Sequence, residues 1–144
     1  MATNEEVLDS PTGWVADHIR DYIASDGERG HNWRGVQTLL LTTRGRKSGK
    51  LRRTALIYDR DGDSYVVVGS QSGAPNHPAW YLNLLADPEV GVQVGADKFT
   101  ARARTATPAE RPELWRRMAA IWPDYDSYQT KTEREIPVVI LDRI

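Results

Sequence analysis

Three short apolar runs follow one another between residues 36 and 70, and a glycine-containing turn separates each from the next. They read VQTLLLTT, LRRTALIYDR and SYVVVGS, with RGRKSGK after the first and Asp61-Gly62 before the third. Runs of this length that are rich in β-branched and aromatic residues predict strands rather than helices. We therefore expect three consecutive antiparallel strands, which commits this part of the chain to a β-sheet.

The rest of the chain predicts helices inserted between further strands. Residues 89–108 are typical of a hairpin whose second half alternates apolar with polar side chains. Pro78 and Pro88 bracket a short helix, and Thr107 with Glu110 forms a capping-box signature before another helix. The chain ends in IPVVILDRI, which predicts a buried strand. This order favours a mainly β (α+β) fold, a small closed antiparallel barrel with inserted helices, over a parallel α/β sheet.

The amino-terminal part of the chain predicts a helix and a loop. Ser10 and Pro11 suit the start of an amphipathic helix that runs to about Ala24. The polar, glycine-containing stretch after it predicts a loop or mobile linker. A chain of 144 residues suits one domain with one core. We expect residues 1–35 to form the helix and loop, and residues 36–144 the barrel, within a single domain overall.

Composition excludes several kinds of chemistry. The chain has no cysteine, which excludes disulfides, thiolate nucleophiles and cysteine-held metals. His18, His31 and His77 lie far apart in the sequence, so we expect no metal site. No apolar run approaches the roughly 20 residues of a membrane span, and the amino terminus lacks the features of a signal peptide. We therefore expect a cytoplasmic protein.

Positive charge is concentrated in residues 42–53, TTRGRKSGKLRR. This stretch holds six Lys and Arg side chains and no acid, out of 19 basic and 20 acidic residues in the whole chain, so that 13 basic residues face 20 acids elsewhere. Crowded cations repel each other unless an anion offsets them. The glycine spacing does not match a P-loop, and the predicted element that follows is a strand rather than a helix. A bound anion and a solvated hairpin turn are the two interpretations.

The residue types in this stretch favour a phosphorylated ligand. Gly45 and Gly49 could let backbone N–H groups turn toward a phosphate, and Arg46, Lys47 and Arg52 could donate charge-assisted hydrogen bonds. Nucleic acid is a poor match because the stretch contains no aromatic residue for stacking and the rest of the chain is acidic. We therefore predict a small anionic ligand and no nucleic-acid partner.

Aromatic residues form a second group of interest. Trp80 and Tyr81 follow a glycine-rich loop, and Trp122, Tyr125 and Tyr128 lie late in the chain. Tyr125 and Tyr128 stand three residues apart among Asp, Ser and Gln, a setting that is unusual for core residues. We predict that they form one wall of an apolar pocket with polar tips.

Four segments together resemble one known family. LLLTTRGRKSGKLRR, GSQSGAPNHPAWYLNLLADPEVGVQV, IWPDYDSYQ and IPVVIL resemble the deazaflavin-dependent nitroreductases of actinobacteria over about residues 36–144. The resemblance implies a split β-barrel like that of flavin-mononucleotide-binding oxidoreductases, with coenzyme F-420, an 8-hydroxy-5-deazaflavin, as the cofactor. It also implies hydride transfer from the reduced cofactor to quinones or nitroaromatic compounds.

The resemblance also implies roles for individual residues. Basic side chains of the turn would hold the phosphate and the oligoglutamate tail of the cofactor, and the loop after the third strand would approach the deazaflavin ring. The cofactor-binding residues are then Gly45, Arg46, Lys47, Ser48, Gly49, Arg52, Thr54, Ser70, Gln71, Ser72, Gly73, Ala74 and Trp80. The substrate pocket would be lined by Trp80, Tyr125 and Tyr128.

Three positions depart from the nitroreductase pattern. Gln71 stands where that branch often has Lys, Thr54 where it commonly has Asn, and Lys131 where it has a further pocket tyrosine. Cofactor binding is therefore better supported by the pattern than reduction of any particular nitro compound.

We expect the chain to be a monomer or a weak dimer.

We predict Ser70 and Tyr125 as the catalytic hydroxyls nearest the reacting atoms, one of which donates a hydrogen bond or proton to a quinone oxygen. One alternative is a protein that binds the cofactor, a flavin or haem without turnover. Another is a module that binds anionic lipid or nucleic acid through the basic turn. The amphipathic helix carries Asp17 and Asp21 on its polar face, so we expect it to pack on the barrel, with at most peripheral membrane contact.

Overall fold

Nine strands form one sheet in the computed structural model, which describes residues 6–10 and 13–144. The strands of this described part are β1 Val7–Asp9, β2 Asn32–Trp33, β3 Val36–Arg44, β4 Leu51–Ile57, β5 Asp59–Asp61, β6 Ser64–Val68, β7 Glu89–Val94, β8 Asp97–Thr105 and β9 Val138–Arg143. Their order across the sheet is β1-β4-β3-β7-β8-β9-β6-β5, and β2 pairs with β3. Neighbouring strands pair antiparallel except β1 and β4, which are parallel.

The prediction of three consecutive antiparallel strands is right for the first pair and wrong for the third strand. β3 and β4 pair over seven residues, from Thr38 opposite Ile57 to Arg44 opposite Leu51. The second apolar run then breaks at Tyr58, whose backbone N–H donates to the Gln37 carbonyl over 3.2 Å. After this break β5 and β6 form a separate hairpin, and β6 pairs with β9 rather than with β4.

Four helices accompany the sheet in the described residues: α1 Gly13–Ala24, α2 Ala79–Ala86, α3 Arg111–Ile121 and α4 Asp124–Thr130. The capping box before α3 forms as predicted. The Thr107 N–H donates to the Glu110 carboxylate over 3.0 Å, and the Glu110 N–H donates to the Thr107 hydroxyl over 3.3 Å. None of the described helices is long and apolar enough to cross a membrane.

Two amino-terminal elements contact the barrel: α1 packs on β3, and β1 pairs with β4. α1 packs against β3 through Ile19, Tyr22 and Leu40, all almost completely buried. The Tyr22 hydroxyl donates to the Thr38 carbonyl over 3.0 Å and accepts the Gly95 N–H over 2.7 Å. The predicted packing of this helix on the barrel is confirmed, whereas its predicted start at Pro11 lies outside the described residues. Part of the expected loop at 25–35 is the short strand β2.

Two clusters of buried side chains make up most of the core. The first lies inside the barrel and combines β3, β6, β7, β8 and β9 with Tyr81 and Leu84 of α2. The second lies outside, where α3 and α4 cover β6 and β9. Strand β8 shows the predicted alternation, with Phe99, Ala101 and Ala103 buried. Helix α2 contacts β3, and α4 contacts the loop that follows β6.

Candidate functional site

A cavity of about 570 Å³ lies beside the β3–β4 turn. Its lining includes side chains from the turn, from β1 and β4, and from the start of α2. The predicted residues that line it are Gly45, Arg46, Lys47, Ser48, Arg52, Thr54, Gln71 and Trp80. The cations predicted to act together therefore do face one space.

Hydrogen bonds within the turn correct one expectation about its glycines. The Gly45 N–H donates to the Lys50 carbonyl over 2.7 Å, and the Gly49 N–H donates to the Gly45 carbonyl over 2.8 Å. Neither amide is therefore available to a phosphate. A Cβ on Gly45 would lie 2.7 Å from the Ser48 hydroxyl oxygen and 3.1 Å from the Lys50 carbonyl oxygen, so a side chain there would displace Ser48 and crowd the turn.

Asn83 joins α2 to the basic turn, and the sequence analysis did not identify it. Its side-chain oxygen accepts the Arg46 backbone N–H over 3.1 Å and the Arg46 guanidinium over 3.2 Å. Its amide nitrogen donates to the Thr43 hydroxyl over 3.2 Å. Asn83 is almost completely buried. A single polar residue within the apolar run AWYLNLL was the signal that could have revealed it.

Charge is unevenly balanced around this cavity. Arg53 pairs with Asp9 of β1 over 2.6 Å, and the Ser10 N–H donates to the Arg53 carbonyl over 3.0 Å. No carboxylate among the described residues forms an ion pair with Lys47 or Arg52. The cavity thus presents cationic groups whose charge is not offset by the part of the chain that the structure describes.

A second cavity of about 760 Å³ adjoins the first, and we call it the aromatic cavity because six Trp and Tyr residues are among those that line it. Trp80, Tyr125 and Tyr128 line it, as does Ser70. Three indoles from separate elements also form part of its wall. The rings of Trp14 and Trp33 stack with centroids 5.6 Å apart, and Trp33 lies 5.6 Å from Trp122.

Tyr125 belongs to the core as well as to this cavity. Only 5% of its surface is exposed, and its ring packs edge-on to Tyr128 with centroids 6.2 Å apart. The view that both tyrosines lie outside the core is therefore wrong for Tyr125, because α3 covers the polar turn that carries it. Burial raises the pKa of the Tyr125 phenol well above its usual value. The hydroxyl is thus protonated across the physiological range and can donate a hydrogen bond.

The loop after β6 forms a wall of the aromatic cavity through Ser70, Gln71 and Ser72. Gly73 instead packs against α4, where a Cβ would lie 2.6 Å from the Tyr128 carbonyl oxygen. The Ala74 carbonyl accepts a hydrogen bond from Arg134 over 2.8 Å. Gly73 and Ala74 therefore contact α4 and Arg134 and do not line the aromatic cavity.

Four residues line both cavities and separate one from the other: Thr54, Gln71, Pro78 and Trp80. Two of the three departures from the nitroreductase pattern, Thr54 and Gln71, stand in this shared wall. The third, Lys131, is exposed and lies outside it, with its ammonium 5.7 Å from the centre of the Tyr128 ring. The departures thus concentrate where the two cavities meet.

His18 is a further lining residue of the aromatic cavity that the sequence analysis considered only as a metal ligand. A ring nitrogen lies 3.2 Å from the Thr38 hydroxyl oxygen. Burial lowers the pKa of this imidazole below its usual value. Within the described residues no group of three or more His, Asp or Glu side chains could hold a metal ion.

The sequence matches a family model over residues 14–143, that of F420H(2)-dependent quinone reductase. A relative in Mycobacterium tuberculosis (strain H37Rv), named as an F420H(2)-dependent quinone reductase, is 39% identical over 130 residues, covering 88% of this chain and 87% of the relative.

Solved structures show the same relationship. One described as a domain-swapped dimer is 37% identical with a TM-score of 0.70, covering 92% of this chain and 100% of that one. Another, described as an F420-H2 dependent reductase, is 40% identical with a TM-score of 0.67, covering 73% of this chain and 93% of that one. The predicted split β-barrel is confirmed, and the same fold extends to the heme storage protein HutZ of Vibrio cholerae at 15% identity and a TM-score of 0.58. The chain belongs to the F420H(2)-dependent quinone reductase family.

Proposed function

We propose that this protein uses coenzyme F-420 to reduce quinones, with the cofactor's anionic arm at the basic turn and the acceptor in the aromatic cavity. The cofactor follows from the family, whose members depend on its reduced form. The observation that carries the placement is the pair of adjoining cavities, one cationic and one aromatic, that share a wall at Thr54, Gln71 and Trp80.

The donors around the first cavity fit the anionic part of the cofactor. Arg46, Lys47 and Arg52 line it, and a phosphodiester with a carboxylate tail needs several cationic donors at once. Arg46 is held in place by Asn83, so its guanidinium is oriented in advance. Arg53 contributes less because Asp9 already offsets its charge.

The residues of the shared wall orient the two reactants. Reduced F-420 supplies a hydride when bound, and a quinone needs one hydride and one proton to become its hydroquinone. Trp80 and Gln71 border both cavities and so fix how closely donor and acceptor approach. The indoles of Trp14, Trp33 and Trp122 add apolar surface to the acceptor side.

Tyr125 and Ser70 are the proposed proton and hydrogen-bond donors. Both hydroxyl-bearing side chains line the aromatic cavity, and both residues are buried. The raised pKa of Tyr125 keeps its proton on the phenol, from which it can be shared with an oxygen that gains negative charge.

Nitroaromatic compounds are a second class of acceptor that we propose for the same site. A cavity of about 760 Å³ walled by indoles and phenols suits flat aromatic rings in general.

We also propose that the protein assembles as a dimer, because a relative with 37% identity is described as a domain-swapped dimer.

Fluorescence titration of the purified protein with oxidised F-420 tests the cofactor arm. Lys47→Ala should weaken F-420 binding. The effect should be larger at low salt, because the attraction between the Lys47 ammonium and the anionic arm is screened less there. Lys98→Ala is the matched control, since Lys98 is exposed on β8 and lines neither of the two cavities. Equal dissociation constants for the Lys47→Ala variant and the unaltered protein contradict the placement.

Steady-state reduction of a soluble quinone by reduced F-420 tests the catalytic assignment. Tyr125→Phe should lower kcat by about 10²-fold, the usual contribution of a positioned proton donor, with little change in F-420 affinity. Tyr65→Phe serves as control, because Tyr65 is equally buried but lies in the barrel core. Retention of full turnover by Tyr125→Phe removes the proposed role. Tight F-420 binding with no turnover of any quinone or nitroaromatic favours a sequestering protein instead.

A further inference from the structure

Arg134 forms hydrogen bonds with the loop after β6, which forms one wall of the aromatic cavity. This partly buried side chain lies in the segment between α4 and β9 and donates to three backbone carbonyls of the loop: Ala74 over 2.8 Å, Ser70 over 2.7 Å and Gly69 over 3.2 Å. The same guanidinium lies 3.1 Å from Nδ1 of His77. One planar cation thus joins both ends of the loop.

The loop between these carbonyls has an uncommon backbone conformation. Gln71 has φ of 44° and Ser72 has φ of 54°, and Gly73 follows with φ of 79°. Left-handed φ values are routine for glycine but unfavourable for a residue with a Cβ, and two in succession require outside support. Two backbone bonds close the turn, from Gly73 N–H to the Ser70 carbonyl and from Ala74 N–H to the Gln71 carbonyl.

Arg134 is itself fixed to α4. The Gln129 side chain of α4 donates to the Arg134 carbonyl over 2.8 Å and accepts the Ile136 N–H over 2.9 Å. Gly73 of the loop packs directly on the Tyr128 backbone of the same helix. The loop, Arg134 and the helix that carries Tyr125 therefore form one connected unit.

We propose that Arg134 is a positioning residue for quinone reduction: it holds Gln71 and Ser72 in their left-handed conformation and so sets the wall between cofactor and acceptor. The inference deepens the proposed function and rests on it. Gln71 lines both cavities, and Ser70 and Ser72 line the acceptor side. Arg134 acts through these residues and lines neither cavity. A relaxed loop would leave Arg46, Lys47 and Arg52 in place for the anionic arm of the cofactor, and would displace the residues beside the reacting groups.

The enzymatic test is a double-mutant cycle. Arg134→Ala should lower kcat by about 10- to 100-fold, the effect of a misplacement of about 1 Å, while the F-420 dissociation constant changes by a smaller factor because Arg46, Lys47 and Arg52 keep their positions. Ser72→Gly in the Arg134→Ala background should restore part of the lost kcat, because glycine adopts the left-handed conformation without support. Arg116→Ala is the control, since Arg116 is exposed and its ion pair, among the residues that the structure describes, is with Glu113 on its own helix.

A second readout uses the protein without cofactor. Hydrogen exchange of the Gly73 and Ala74 amides should be faster in Arg134→Ala than in the unaltered protein, with the strands of the barrel unchanged. A purely structural role would instead accelerate exchange across α4 and β9 as well. This measurement holds even if the protein proves inactive toward quinones.

The outcomes separate the inference from the proposed function. Absence of turnover in the unaltered protein overturns the proposed function, and with it the catalytic part of this inference, while the exchange experiment still tests the loop. An active enzyme whose Arg134→Ala variant keeps its kcat overturns the inference alone, and so does a loss of kcat that Ser72→Gly does not reduce. If Arg134→Ala does not fold, Arg134→Lys keeps the charge but cannot reach all three carbonyls. The kcat of Arg134→Lys should then be lower than that of the unaltered protein, and adding Ser72→Gly should restore part of it. An Arg134→Lys variant with unaltered kcat overturns the inference.

Discussion

Asn83 shows how a single buried side chain can organise a charged surface. Its amide accepts two hydrogen bonds from Arg46 and donates one to Thr43. An apolar side chain at position 83 would remove the hydrogen bonds of the Arg46 N–H, the Arg46 guanidinium and the Thr43 hydroxyl. The basic turn is therefore held against α2.

Replacement of Asn83 by Leu should destabilise the protein by about 1–3 kcal/mol, the cost of leaving buried polar groups without partners. Binding of F-420 should also weaken, because the Arg46 guanidinium is no longer held. Urea denaturation and fluorescence titration measure the two effects. Leu85→Gln is the control on the same helix, since Leu85 is 56% exposed and its replacement should change stability by less than about 0.5 kcal/mol. Wild-type affinity in Asn83→Leu would contradict the role given to this residue.

Two histidines make stability depend on pH. Burial is the main cause that lowers the pKa of both His18 and His77 below the ordinary value of 6.5. Just below that pH the unfolded chain binds more protons than the folded one, so the free energy of unfolding decreases as the solution is acidified. The urea midpoint should therefore fall between about pH 7 and pH 5. In a His18→Gln, His77→Gln double variant the fall should be smaller, and an equal fall would assign the effect to other groups.

At the scale of elements, the contact between the loop after β6 and helix α4 is among the tightest in the molecule. A Cβ on Gly73 would stand 2.6 Å from the Tyr128 carbonyl oxygen and 3.0 Å from Cβ of Lys131. A side chain at this position cannot be accommodated unless α4 moves. Because α4 carries Tyr125 and Tyr128, such a movement would alter the acceptor cavity.

Gly73→Ala and Gly62→Ala form a matched pair. Both glycines have positive φ, 79° and 62°, but a Cβ on Gly62 meets nothing within 4 Å. Gly62→Ala should cost about 1–2 kcal/mol for the left-handed conformation alone. Gly73→Ala should cost about 1–3 kcal/mol more from overpacking and should also reduce quinone turnover. Chemical denaturation of the two variants measures the difference, and equal costs would show that α4 yields without strain.

Local sequence patterns predicted most of the elements but not all of their partners. β3, β4, β6 to β9, α2 and α3 follow from periodicity and from proline, glycine and capping residues. The pairing of β6 with β9 depends on residues more than seventy positions apart, such as Val67 opposite Val139, and no local signal encodes it. β1 and β2 are too short to show alternation and exist only through their partners in β4 and β3.

At the scale of the whole molecule, helix α1 covers apolar surface of the barrel. Ile19 and Tyr22 are fully buried against β3, so a fragment of residues 36–144 would expose the apolar surface that they cover. We expect this fragment to lack the cooperative thermal unfolding of the full chain, as followed by circular dichroism. Ile19→Ala in the full chain should cost about 2–5 kcal/mol, whereas Arg20→Ala on the exposed side of α1 should cost little. A fragment that melts like the full chain would mean that the barrel is complete without α1.

The sequence predicted the parts of the candidate site that lie in one continuous segment. It did not predict the parts whose residues come together only in the folded chain. The basic turn and the loop after β6 are continuous in sequence, and the predicted Arg46, Lys47 and Arg52 do line one cavity. Trp14, Trp33 and His18 reach the aromatic cavity from α1 and β2, elements with no sequence link to Tyr125. Their convergence is a property of the barrel, and only the tertiary structure reveals it.

The shared wall at Thr54, Gln71, Pro78 and Trp80 has a consequence for the order of events in catalysis. In the proposed function the anionic arm of F-420 and the quinone lie in adjoining cavities, so we expect that neither has to leave before the other enters. Initial rates measured against quinone at several fixed concentrations of reduced F-420 should therefore give intersecting rather than parallel double-reciprocal lines. Parallel lines would mean that the two reactants take turns in a single space. We therefore expect a ternary complex of the protein, reduced F-420 and quinone to be the reacting species.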